Sequence, residues 1–138
     1  MLHKKYAQIS TEYLVIVGFV VFLVIGVLSI AFFYTSGSQD QIRFSNLQHF
    51  ANTLISNSEE IYYSGEPSLR TLSLYLPGGV ENIEVGSDAL TFTIITNSGT
   101  NIVSFTSNVP IGGSISSQEG VKRVQLTAQS LRVFITEG

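Results

Sequence analysis

The chain has 138 residues, enough for one small domain, and only 12% of them are charged, whereas 44% are hydrophobic. Soluble domains usually have about a quarter of their residues charged. The formal net charge of -3 leaves no basic field to hold nucleic acid, and the absence of cysteine excludes a disulfide, a thiolate nucleophile and Cys-ligated zinc. A single apolar run near the start, followed by about 100 more polar residues, also disfavours a soluble enzyme and a polytopic transporter.

The apolar run extends over Tyr13–Tyr34, 22 residues without a charge. As a helix it would be about 33 Å long, enough to cross a hydrocarbon core of about 30 Å and longer than the core of a cleaved secretory signal. Lys4 and Lys5 precede the run, and the first charges after it are Asp40 and Arg43. The positive-inside rule therefore predicts a cytoplasmic N-terminus and an external remainder, and hydropathy alone favours an uncleaved single-pass anchor.

The residues just before the run carry a more specific pattern. They contain a basic pair and then Ala7, Gln8, Ser10 and Glu12, with Glu12 directly at the border of the apolar stretch. This segment resembles the class III signal of archaeal type IV pilin-like proteins, in which a basic leader is cut before a Gln, and Ser and Glu follow at the third and fifth mature positions. The resemblance places the cut between Ala7 and Gln8, although the family more often has Gly where this chain has Ala7.

The resemblance implies a non-enzymatic filament subunit. A prepilin peptidase would remove the leader, residues 1–7, on the cytoplasmic side, so that the hydrophobic helix, residues 8–35, stays on the mature protein and moves from membrane lipid into a filament of this pilin or related pilins. An assembly ATPase and a membrane platform protein are the implied partners, and adhesion is the commonest use. Glu12 would meet the free amine of Gln8 on a neighbouring subunit, unless Gln8 cyclises to pyroglutamate. The expected polymerisation positions are Tyr13, Leu14, Gly18, Phe22, Gly26 and Phe33.

The periodicity after the run predicts an amphipathic helix over residues 36–64. Apolar residues recur at the three-and-four spacing of one helical face, and mostly polar residues occupy the other face. The apolar positions are Ile42, Leu47, Phe50, Ala51, Leu54, Ile55, Ile61 and Tyr62. With no proline before Pro67, the helix can run from about Ile9 to Tyr63, with a bend near Gly37. Its apolar stripe needs a partner.

Residues 65–138 are predicted to form that partner, an antiparallel β-sheet head. Alternation with a period of two begins after Pro67 and indicates short strands joined by turns rich in Gly, Pro and Asn. The expected strands are Thr71–Leu76, Asn82–Val85, Leu90–Ile94, Asn101–Ser107, Val121–Ala128 and Leu131–Thr136. Pro110–Gly113 is expected to be a turn, and Ile111–Gly120 an exposed or disordered loop. The predicted fold class is α+β, a long N-terminal helix packed on a small antiparallel sheet, as in type IV pilins.

Other chemistry has little support in the sequence. His3 and His49 have no second ligand at metal-binding spacing. The pairs Glu59 with Glu60 and Glu81 with Glu84 are expected to lie on solvated surfaces. We therefore expect no catalytic residue, cofactor or metal. Two alternatives to a pilin stay open. One is a single-pass membrane-anchored extracytoplasmic binding domain that keeps residues 1–7, and the other is an archaellin-type motility filament subunit with a related leader.

Overall fold

The computed structural model describes residues 2–138, and the side chains of these except residues 2–9 and 36. One helix, α1, spans Leu2–Ser64, and seven strands follow it. The chain divides into two compact units, residues 1–39 and residues 40–138. The prediction of an α+β chain with a long N-terminal helix and a sheet-rich C-terminal part is confirmed.

The first unit consists of the N-terminal part of α1. Every side chain described from Ser10 to Thr35 is exposed, including all the large apolar ones. Ser29 Oγ donates to the Ile25 carbonyl oxygen at 2.8 Å, and Thr35 Oγ1 donates to that of Ala31 at 2.9 Å. Because these hydroxyls are satisfied within the helix, they do not need water.

The second unit places the amphipathic part of α1 against two sheets. The last residue of the helix is Ser64. Gly65 follows it with a φ of 76°, which suits a glycine, and its N–H donates to the Tyr62 carbonyl. The predicted stripe is buried at Leu47, Phe50, Leu54 and Ile61, whereas Ile42, which shares the spacing, is 60% exposed. The buried Ser58 hydroxyl donates to the Leu54 carbonyl oxygen at 2.8 Å and so lies in the core without an unmet hydrogen bond.

The strands form two sheets, where the sequence pattern predicted one. Their bounds are β1 Leu69–Leu76, β2 Val80–Val85, β3 Ala89–Thr96, β4 Gly99–Thr106, β5 Ile111–Ser114, β6 Gly120–Gln129 and β7 Arg132–Glu137. A four-stranded sheet has the order β1-β6-β7-β5, and a three-stranded sheet has the order β2-β3-β4. All neighbouring strands are antiparallel except β5 and β7, which are parallel. Six of the seven strands lie where alternation predicts them.

The two sheets share one hydrophobic core with the helix. The Phe50 ring of α1 meets the Phe92 ring of β3 edge to face at a centroid distance of 6.2 Å, and Phe92 meets Phe105 of β4 at 5.8 Å. From the four-stranded sheet, Leu126 and Ile135 are fully buried in the same cluster. The inward residues of β3 and β6 alternate with outward ones, as in antiparallel sheets with one solvated face.

The turn predicted at Pro110–Gly113 is wrong, and the exposed loop predicted at Ile111–Gly120 is wrong over residues 111–114, whereas residues 115–119 lie outside strands and Ser116, Gln118 and Glu119 are exposed. Ile111 lies in β5, and Ile111 and Ile115 are buried. Gly113 has a φ of 129°, and a Cβ at this position would clash with the Ile135 backbone. The glycines that suggested a turn instead allow β5 to approach β7 closely.

Candidate assembly site

The residues predicted to drive assembly lie in the first unit, on a helix surface that is exposed wherever its side chains are described. The polar and large apolar members of this set are all exposed, Phe33 by 85%. They are Ser10, Glu12, Tyr13, Leu14, Phe22 and Phe33. The side chains of Ala7 and Gln8, on either side of the predicted cut, lie outside the described residues. An apolar surface of 22 consecutive residues exceeds what a soluble monomer exposes, so it requires lipid or other protein around it.

Gly18 and Gly26 have no side chains, so the helix surface is recessed at these two positions. No atom lies within 4 Å of a Cβ placed on either glycine. At about 100° per residue, Gly18, Phe22 and Gly26 lie within roughly 80° of one another around the helix, so two small positions flank one aromatic ring. Small residues allow another helix to approach closely, both in membranes and in helix bundles.

Glu12 is the single charged residue in the range 10–39. It lies one position before the apolar run, so in a membrane its carboxylate can reach the headgroup region. Deeper in a hydrocarbon or protein environment the carboxylate would need a cationic partner or hydrogen-bond donors. Its location is the strongest chemical feature of the first unit.

By length and composition the apolar part of α1 can cross a membrane, and none of its most apolar window is buried within the structure. This finding is compatible with a membrane anchor. Among the described residues, no group of three or more His, Asp or Glu side chains could hold a metal ion.

The second unit contains polar contacts that sequence patterns did not predict. Arg70 of β1 forms two hydrogen bonds to the Glu60 carboxylate, at 2.6 and 2.9 Å, and its Nη1 donates to Asn57 Oδ1 at 2.6 Å. The Arg70 guanidinium lowers the pKa of Glu60 by hydrogen bonding and then by charge. The pair is largely solvated, so its main effect is to orient α1 on the four-stranded sheet.

Two further carboxylates of α1 bind loop backbone of the three-stranded sheet. Glu59 Oε1 accepts from the backbone N–H of Asn108 at 3.1 Å and from its side-chain amide at 2.9 Å. Asp40 Oδ2 accepts from the backbone N–H of Asn97 at 3.2 Å. The expectation that the Glu pair near residue 60 lies on a solvated surface holds for Glu60, whose side chain is 61% exposed. Glu59 and Glu60 nevertheless both bind groups that follow or form the strands.

An ion pair between a buried lysine and a more exposed glutamate holds the segment that was expected to be a loop. Lys122 of β6 is buried, and its Nζ donates to Glu137 Oε1 at 2.7 Å and to Ser116 Oγ. The Ser116 backbone N–H donates to Glu137 Oε2 at 2.8 Å. Hydrogen bonding from Lys122 is the main cause that lowers the pKa of Glu137. A lone Lys in a strand gives no sign of this pairing in the sequence.

Comparison with known proteins gives no relative from which a function could be transferred. No family model matches the chain, and no curated protein or solved structure matches it significantly. The function must therefore be argued from the residues and the geometry.

Proposed function

We propose that this chain is the structural subunit of an archaeal type IV pilus-like extracellular filament with an adhesive role. In this proposal the chain inserts with its N-terminus inside, and a prepilin peptidase cuts between Ala7 and Gln8. The helix of residues 8–35 then leaves the lipid and packs among its own copies, while residues 65–138 form the outward head. An assembly ATPase and a membrane platform protein would drive the transfer.

The observation that carries the proposal is the fully exposed apolar surface of Tyr13–Tyr34 with Glu12 at its border. A membrane anchor needs only the apolar surface. A polymerising helix needs in addition a feature that sets how far each copy is shifted along its neighbour, and a charge at one defined position serves that purpose. The Gln8, Ser10 and Glu12 register supports this use of the carboxylate.

The proposed mechanism pairs Glu12 with the new amine of Gln8 on an adjacent copy. Two opposite charges about 4 Å apart attract by about 4 kcal/mol at an effective dielectric constant of about 20, before the loss of hydration is subtracted. The net gain in stability is therefore small. The gain in specificity is large, because a slipped neighbour would leave a carboxylate unpaired in an apolar environment. Gly18 and Gly26 would let neighbouring helices approach while Phe22 packs between them.

The test is to shear filaments from cells that express the chain and to measure its intact mass in the sheared fraction. We expect a chain that starts at Gln8, either unmodified or as pyroglutamate. If the chain instead stays in the membrane fraction and keeps residues 1–7, the proposal fails and the single-pass anchored binding domain replaces it. If unsheared cells swim by rotating filaments that contain this chain, the archaellin alternative replaces the adhesive role.

A further inference from the structure

The outer surfaces of the two sheets carry opposite charge. Residues that face each other across neighbouring antiparallel strands lie on the same face of a sheet. On the outer face of the four-stranded sheet, Arg123 lies opposite Ser73, and Arg132 lies opposite Gln129. Within the four strands of this sheet the acidic residue is Glu137, and its carboxylate accepts hydrogen bonds from Lys122 and Ser116. We name this surface the basic face.

The basic face also exposes apolar side chains. Tyr75 and Val121 lie opposite each other and are both exposed. Phe134 is exposed on β7, opposite Thr127 and therefore farther along the sheet. Arg132 reaches over the neighbouring strand, since a Cβ on Gly112 would lie 3.3 Å from its Cδ. Within the described part of the chain, neither Arg123 nor Arg132 forms an ion pair.

The outer face of the three-stranded sheet is acidic. Residues 80–106 contain Glu81, Glu84 and Asp88 and no Lys or Arg. The outward row that begins with Glu84 on β2 continues through Thr91 on β3 to Ser104 on β4. Ile102 lies two residues before Ser104 on β4, so its side chain also faces outward. Ile102 is 72% exposed. We name this surface the acidic face. None of its carboxylates has an ion-pair partner among the described residues.

We propose that the basic face of one copy docks on the acidic face of the next copy of this chain. The occupant is argued from charge complementarity: the outward arginines within the strands of the basic face and the carboxylates of the acidic face have no ion-pair partner among the described residues, and their signs are opposite. Pairing either face with itself would bring like charges together, which disfavours a closed two-fold dimer. Joining two different faces gives a heterologous contact, and such contacts build open helical assemblies when the rotation does not close.

This inference rests on the proposed filament function and adds the contact between heads. The apolar helices supply burial in the core of the filament, while the two faces choose which surfaces of neighbouring heads meet. Ile102 on one copy and the pair Tyr75 and Val121 on the other supply the apolar centre of the contact, with charges around it, as in other protein interfaces.

The test uses two full-length variants whose substitutions lie at exposed positions. The first, Arg123→Glu with Arg132→Glu, makes both faces acidic. The second, Glu81→Lys with Glu84→Lys, makes the acidic face basic as well. Each variant is expressed alone in cells that lack the wild-type chain, and the two are then expressed together. Subunit in the sheared filament fraction is measured against subunit in the membrane fraction.

We expect each variant alone to yield at least about tenfold less filament than the wild type. Co-expression should restore filaments that contain both variants, because each variant now presents the charge that the other lacks. A chain with all four substitutions, complementary within itself, should also assemble.

Wild-type filament yield from either variant alone would overturn the inference, and so would failure of the mixture and of the fourfold variant. In both cases the proposed function would stand if wild-type filaments begin at Gln8. Absence of the wild-type chain from sheared filaments would remove the proposed function and this inference with it.

Discussion

Glu137 is the residue whose loss should most weaken the second unit through electrostatics. Its carboxylate accepts hydrogen bonds from Lys122, whose side chain is 6% exposed, and from the Ser116 backbone. Glu137→Gln would leave a nearly buried ammonium without its counter-charge. Breaking a fully buried pair costs about 3 to 5 kcal/mol, but the Glu137 side chain is 29% exposed, so we expect about 2 kcal/mol. Thermal unfolding of the full chain in detergent, followed by tyrosine near-UV circular dichroism, measures this loss.

The matched control replaces the partner too. Lys122→Met with Glu137→Gln removes both charges, so no buried charge is left unpaired, and the double variant should be more stable than Glu137→Gln alone. The pair also predicts a pH dependence. Because folding lowers the pKa of Glu137 below its ordinary value of 4.5, its contribution is complete above that pH and is lost as the pH falls through the folded pKa. Equal acid stability of wild type and Glu137→Gln would contradict the role.

Glu12 belongs to the same scale, but in the proposed filament it would act between copies. Glu12→Ala should leave membrane insertion intact, because an alanine at the border of an apolar helix favours insertion. It should sharply reduce assembly, because the amine of Gln8 would lose its counter-charge. Immunoblots of membrane and sheared fractions measure the two effects separately.

Glu12→Gln separates charge from hydrogen bonding in this role. The amide keeps an acceptor but no charge, so an assembly level between those of the wild type and Glu12→Ala indicates an ion pair. Wild-type assembly by Glu12→Gln would instead favour a pyroglutamate at Gln8, and wild-type filaments from Glu12→Ala would remove the residue from the assembly mechanism.

At the scale of elements, the contact between α1 and the sheets depends on a few buried side chains. Leu54 is fully buried, and Leu54→Ala should destabilise the second unit by about 2 to 5 kcal/mol through lost burial and a cavity. Ile42→Ala is the matched control, because Ile42 has the same helical spacing but is exposed. We expect a change within about 0.5 kcal/mol there. A comparable loss of thermal stability in both variants would show that the stripe is not buried selectively.

Local patterns explain why most elements were predictable. Alternation in β1 and β3, such as Leu90, Phe92 and Ile94, is strong enough to locate each strand to within about two residues. The strand β5 was missed because its sequence, Ile111–Ser114, has the composition of a turn. It becomes a strand through parallel pairing with β7, a partner that follows about 20 residues later and that no local pattern identifies.

The polar contacts could not be predicted for the same reason. Glu59 with Asn108, and Asp40 with Asn97, join residues separated by 49 and 57 positions. The border of the apolar run, in contrast, was recognisable because Gln8, Ser10, Glu12 and the run itself are adjacent in sequence. The local part of the candidate site could therefore be proposed from the sequence, whereas the two charged sheet faces, which depend on strand register, could not.

At the scale of the whole molecule, the proposed function requires one chain to suit two environments in succession. Before cleavage the N-terminal segment carries Lys4 and Lys5, which favour the cytoplasmic side of a membrane. Loss of residues 1–7 leaves five basic and ten acidic residues, from seven minus two basic and an unchanged ten acidic, and changes the formal side-chain charge from -3 to -5. The same cut that would create the amine for Glu12 would thus remove the charges that hold the helix at the membrane.

This coupling predicts opposite outcomes for two substitutions at Ala7. Ala7→Leu should block the proposed cut by adding bulk at a position where the pilin-like proteins that this segment resembles more often have Gly, whereas Ala7→Gly should be cut at least as well as the wild type. With the leader retained, Gln8 has no free amine and two lysines would have to enter an apolar filament core, which costs several kcal/mol per charge. We therefore expect the Ala7→Leu chain to stay in the membrane fraction at its precursor mass. If it reaches sheared filaments uncut, cleavage is not what releases the helix for assembly.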